Sequence, residues 1–300
     1  MNPNHPQPMS KPPTNTSPTG ANLRRACISV LLALGLSASA QDRDPVRVPG
    51  DLLDEPHLLD EPHVREELAI NEFTAPSISK LFGQLDSLQP LPFKEVERRM
   101  PNRRPLDRAD LALEIGFLIA DGFLAVQAGN FARIETLSIY FSDYGKSLGA
   151  GERVDRHAAA LREWANAGDI SKLKDELAAT QKDVETELFR LHDADLAALI
   201  SLGGWIRALE IASTSVTISY TPERASHLMH EDIADYYEYS VGSLELRIRE
   251  RPRFVRMRKI LAGLRDKMTV DPDAEVTRDH VAAIRDASAE LVALALERQR

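Results

Sequence analysis

Two stretches of this 300-residue chain are apolar around the whole circumference of a helix, and they constrain the fold more than anything else in it. Residues 111–126 carry only Glu114 and Asp121 as charges, and residues 196–211 only Arg207 and Glu210. A helix without a polar face has to be covered on every side. Two such helices need a shell of further helices around them. Gly116, Gly122, Gly203 and Gly204 lie inside these stretches, and each weakens a helix by about 1 kcal/mol relative to alanine. Close backbone approach of the two helices is the compensation their positions predict.

The remainder of the chain supplies that shell. Turn signals divide it into helix-period segments predicted at 76–88, 108–128, 131–148, 152–166, 170–191 and 194–219. A short helix follows Thr221-Pro222, a cap with proline at the first helical position. Further helices are predicted at about 231–248, 252–268 and 277–300. Asp107, Asp193 and Thr277 stand where N-caps belong. Residues 89–107 hold Pro90, Pro92, Pro101 and Pro105 and read as an irregular crossover. Residues 215–220 (SVTISY) alternate like a strand but continue a helical pattern and have no partner. The fold class is therefore all-α, with about eight to ten helices. Two arrangements fit: an irregular helical bundle, or a short array of antiparallel helix hairpins. The array rests on two matching turns, AGNFARI at 128–134 and AGDISKL at 167–173, whose spacing is near that of helical repeats.

The segments ALEIGFLIADGFLAVQAG at 112–129 and SLGGWIRALEIAS at 201–213 resemble uncharacterised exported all-helical bacterial proteins. Those proteins combine an apolar helix bearing an alanine–aspartate pair with a glycine–tryptophan helix. The similarity runs from about 106 to 220. It implies an all-helical fold and assigns no catalytic role to any residue.

The charges on the two apolar helices admit two readings. Glu114, Asp121, Arg207 and Glu210 form a buried polar network that fixes helix register, or they line a ligand pocket. Glu114 and Asp121 are seven residues apart and share a face, and Arg207 and Glu210 are neighbours at a spacing of three. A buried ion is tolerable only when paired, so Arg207 is expected to bridge to Glu114 or Asp121. Carboxylates on facing helices suggest a di-iron bundle, but such bundles need Glu-x-x-His on two helices, and the chain has none.

Other chemistry is faint. Gly145-Lys146-Ser147 ends like a phosphate loop, but Tyr140 stands where its first glycine belongs. Asp271, Asp273 and Glu275 begin like a calcium loop, but Val276 and Ala282 replace its glycine and its last carboxylate. His227, His230 and Glu231 are the candidate metal ligands, on the expectation that they share a helix face. No nucleophile–base motif is present, which points away from an enzyme, and no cofactor is expected.

Residues 247–267 carry nine basic side chains against Glu250 and Asp266. Phe254, Met257, Leu261, Leu264 and Met268 make an apolar stripe through them. This reads as a helix docked on the core with a basic surface at Arg253, Arg256 and Lys259. Such a surface suits an acidic protein or an anionic envelope surface.

The N-terminal region reads as a leader. Arg24-Arg25 precede an apolar run from 26 to 36, and Ala38-Ser39-Ala40 fits a cleavage site before Gln41. Cleavage there predicts a periplasmic or secreted protein with no transmembrane segment. It also removes Cys27, the one cysteine, so no disulfide is expected. Without Lys11, Arg24 and Arg25, 34 basic side chains face 46 acidic ones, a net charge of −12. That balance argues against a nucleic-acid partner. Residues 41–63 read as a linker holding a tandem repeat, LLDEPH at 52–57 and again at 58–63. Residues 64–300 read as one helical domain. The function expected is a non-enzymatic binding protein of the cell envelope. The alternative is a metal-binding protein or enzyme built on the buried carboxylates or on His227 and His230.

Overall fold

The computed structural model describes residues 78–101, 103–271 and 274–297. The leader and the tandem repeat lie outside the described residues. In chain order the helices are α1 (Ile78–Ser87), one-turn α2 (Phe93–Val96), α3 (Arg108–Gln127), α4 (Phe131–Leu148), α5 (Gly151–Ala167) and α6 (Ile170–Arg190). Then come α7 (Ala194–Ile218), α8 (Pro222–Ser226), α9 (Glu231–Ser243), α10 (Leu246–Arg249), α11 (Pro252–Met268) and α12 (Arg278–Leu296). There is no strand among the described residues, and 215–218 are the last turn of α7.

Local chemistry sets most of the boundaries. The Asp107 carboxylate accepts hydrogen bonds from the backbone N–H groups of Ala109 and Asp110. Asn130, Asp169 and Thr221 cap α4, α6 and α8 in the same way. Thr277 and His280 form a reciprocal capping box on α12. Gly129, Gly149 and Gly168 end α3, α4 and α5 in the left-handed region that glycine enters freely. The fourth such turn, between α6 and α7, uses His192 at φ 60°.

Helices α3 and α7 form the axis and pack against each other more extensively than any other pair. Their crossing is close because it has no side chains in the way. A Cβ on Gly116 would stand 2.1 Å from the Ile200 carbonyl oxygen, and one on Gly203 2.4 Å from that of Leu113. The other two glycines have different neighbours. Gly122 makes room for the Leu177 side chain of α6, and Gly204 faces Gln181 and Ile78. Helices α1, α4, α6 and α12 cover the axial pair, while α5 packs on α4 and α6, and α11 packs on α12 and α9. Contacts such as α12 on both α3 and α7 join elements far apart in sequence. That is a bundle around a shared core, not an array in which each hairpin touches only the next. Helix α7 alone among the described residues has the length and mean hydropathy of a membrane span, and it is mostly buried.

Two expectations fail locally. The segment 231–248 is not one helix: it stops at Ser243, and α10 begins at Leu246. Asp193 precedes α7, but its side chain makes no cap bond and pairs with Arg108 at 2.8 Å instead.

Candidate functional site

The four charges of the apolar helices lie in one network. The Asp121 carboxylate is 4% exposed and the Arg207 side chain 2%. Arg207 Nε donates to Asp121 Oδ1 at 2.8 Å. Its Nη1 reaches Glu210 and its Nη2 donates to the Val96 carbonyl at the end of α2. The second Asp121 oxygen accepts from Arg98 Nε at 3.0 Å, and Arg98 Nη1 donates to Glu114 Oε1 at 2.5 Å. Arg98 also lies over the Phe117 ring. Burial opposes the charge on Arg207, but Asp121 and Glu210 outweigh it and raise its pKa above the ordinary arginine value. Arg98 is raised in the same way, by Asp121 and Glu114 against its burial. Arg207 Nε, Nη1 and Nη2 are all engaged, and the charged groups pair with one another.

Sequence reasoning missed Arg98 because it sits on the proline-bearing crossover, with no helical periodicity to place it. It also missed a second buried bridge. Arg253, expected on the basic surface, is 5% exposed. It reaches across to Asp110 of α3 and donates to the Glu297 carbonyl at 2.7 Å. The signal was present: 253, 257, 261 and 264 share a helix face, and Met257, Leu261 and Leu264 belong to the apolar stripe.

Arg256 and Lys259 are exposed, as is Lys267. They form one wall of a groove of about 690 Å³ between α11 and α12. Ile260 and Gly263 with Ala283 and Ala287 make its floor, and Asp286 and Glu290 lie on the opposite side. Glu290 is 3.6 Å from Arg256, and Asp286 is 2.8 Å from Arg285. Lys259 and Lys267 have no carboxylate within bridging distance among the described residues.

The histidine candidates do not share a helix face. Helix α8 ends at His227, and His230 precedes α9, so the chain breaks between them. The His230 Nε2 is 2.6 Å from Gln84 Nε2. Burial lowers its pKa; Asp232 opposes that effect, and Lys80 and His227 add to it. Among the described residues, no three His, Cys, Asp or Glu side chains converge on a metal-sized site. The small cavity beside the two histidines holds about 30 Å³, room for a water or two. A larger pocket of about 370 Å³ opens at the end of the bundle. Its arginines are already paired, Arg108 with Asp193, Arg251 with Asp107 and Arg247 with Glu245.

One further polar cluster joins α6 to α9. Burial raises the Glu185 carboxyl to about 7, against a hydrogen bond from Gln181 Nε2 at 2.7 Å. Tyr237 is buried beside it, bonded to Ser201 at 2.9 Å and packed on Trp205. The Gln181 side-chain oxygen lies against Gly204 with no hydrogen-bond partner.

Comparison with protein-family models, with curated proteins and with solved structures finds no match to this chain.

Proposed function

We propose that this is an exported, non-enzymatic binding protein of the cell envelope, and that its working surface is the groove between α11 and α12. The occupant of that groove is an acidic, amphipathic protein segment. The observation that carries this reading is an apolar floor beside a cationic wall whose Lys259 and Lys267 have no carboxylate partner among the described residues, on a chain with an expected mature net charge of −12. A concave surface between two helices suits a peptide laid into it, apolar side down, in the manner of a helix in a groove. A flat anionic membrane would meet the rim and leave the floor empty. The leader at 24–40 supports export. Consumption of the buried charges by one another supports a structural role for Glu114, Asp121, Arg207 and Glu210 instead of a catalytic one.

The test is titration of the mature chain with a synthetic amphipathic peptide of leucine and glutamate. Binding is expected, weakening as salt rises from about 50 to about 500 mM. The double substitution Lys259→Glu/Lys267→Glu should abolish it while leaving the thermal melt unchanged, because both side chains are exposed. Equal binding of a leucine–lysine peptide would sink the proposal. So would binding to phosphatidylglycerol vesicles with none to the acidic peptide, which would make the partner a membrane.

A further inference from the structure

The turn between α8 and α9 takes His227 and His230 off a common helix face, yet it sets both on the wall of one small cavity. Helix α8 ends at His227, the Leu228 N–H bonds back to the Ala225 carbonyl, and His230 then opens α9. The two rings are close enough that charge on His227 opposes charge on His230. No third His, Cys, Asp or Glu completes a metal-sized group with them among the described residues. A different donor stands on the same wall: Met268, the last residue of α11, which is 1% exposed. We infer that His227, His230 and Met268 form a binding site for monovalent copper, Cu(I). The site goes beyond the peptide groove and does not rest on it.

The donors select the metal. A thioether sulfur is a soft, uncharged ligand, and imidazole suits copper as well as zinc. Calcium and magnesium take oxygen ligands, carboxylates above all, and no carboxylate lines this cavity. Structural zinc takes four ligands, commonly with thiolates among them. A d¹⁰ ion of single charge is content with two imidazoles and a thioether.

Electrostatics and size favour the same ion. The other walls are apolar, Leu81, Leu209 and Leu228 beside Trp205. Desolvation cost grows as the square of the charge, so a divalent ion among neutral ligands there costs about four times what a monovalent one does. The cavity, at about 30 Å³, admits a bare ion and excludes one that keeps its water shell. His227 is exposed and gives the way in. Gln84 lies 2.6 Å from His230 Nε2, the place of the outer partner that orients a ligating histidine. With its amide oxygen accepting the Nε2 proton, the Nδ1 lone pair of His230 is left for the metal.

The test is competition for Cu(I), kept reduced by ascorbate, between the purified chain and the chelator bicinchoninate. One ion per chain is expected, with a Kd below about 1 μM. Met268→Leu keeps the core volume, and His227→Gln alters an exposed side chain, so both variants should melt as the wild type does. Each should weaken Cu(I) binding at least about tenfold. X-ray absorption at the copper edge should find a sulfur neighbour in the wild-type complex and none in Met268→Leu. Unchanged Cu(I) affinity in either variant would place the ion elsewhere on the chain and overturn the inference. So would failure of the wild-type chain to take Cu(I) from the chelator. Zinc bound more tightly than Cu(I) would also overturn it, reducing the site to a histidine pair.

Discussion

Asp121 is the pivot of the buried network, because each of its oxygens holds a different arginine. One accepts from Arg207 and the other from Arg98. Removing Arg207 leaves a carboxylate in the core with half its compensation. Arg207→Met should therefore cost about 3–5 kcal/mol in urea denaturation. Adding Asp121→Leu should recover only part of that, since Arg98 then loses one of its two carboxylates. A wild-type midpoint for the single variant would mean the bridge contributes nothing. Glu185 carries a separate prediction. Its folded pKa, about 7, lies above the 4.5 of an exposed glutamate. The native state therefore holds a proton between those values that the unfolded chain has released. Stability should fall as pH rises from about 4.5 to 7 and level off above it, by up to about 3 kcal/mol. Glu185→Gln should flatten that slope, raising the melting temperature at pH 8 and changing it little at pH 5. An unchanged pH profile in the variant would show that Glu185 ionises normally.

At the scale of elements, the helices were legible wherever a local device marks them. Asp107, Thr221 and Thr277 all cap the helices expected of them, and Asn130 and Asp169 cap the helices that follow the two matching turns. What failed depends on tertiary contacts that no window of sequence contains. The helix from Glu231 stops at Ser243, and just beyond the break the Glu245 N–H is taken by the Asp195 carboxylate at 2.7 Å. Asp193 leaves its cap for Arg108. The glycines of the axial pair show the same division. Their cost in a helix was visible, but which of them sits at the crossing was not. That yields paired predictions for adjacent residues. Gly203→Ala drives a Cβ against the Leu113 carbonyl, a backbone atom that cannot move aside. It should cost about 3 kcal/mol or more by forcing the two core helices apart. Gly204→Ala meets nothing nearer than 3.6 Å and gains helix propensity of about 1 kcal/mol, so it should be neutral or stabilising. Thermal melts of the two variants decide the matter, and equal behaviour would refute the assigned crossing.

For the whole molecule, the all-α class followed from two helices that need cover on every side, but bundle and hairpin array were equally legible. The repeated turns at 128–134 and 167–173 are real capping turns at the tips of helix pairs. They are not the unit of a solenoid, because α12 returns to pack on α3 and α7. The site divides in the same way. Arg207 with Asp121 was readable as charge on apolar helices, whereas Arg98 depends on where an irregular crossover lands. The architectures differ sharply under truncation. An array loses little beyond the stability of its terminal repeat when that repeat is removed. Here α12 lays Val281, Ile284, Leu291 and Val292 into the common core. It also carries the chain to the Glu297 carbonyl that receives buried Arg253. Ending the chain before Thr277 would expose apolar faces of both axial helices and strand the Arg253–Asp110 pair. The truncated protein should lose its cooperative urea transition and bind a hydrophobic dye, while the untruncated chain unfolds in one step by both circular dichroism and tryptophan fluorescence. A truncated chain that kept a sharp transition at reduced amplitude would mean the helices fold as separable hairpins and that α3 and α7 are not a shared axis.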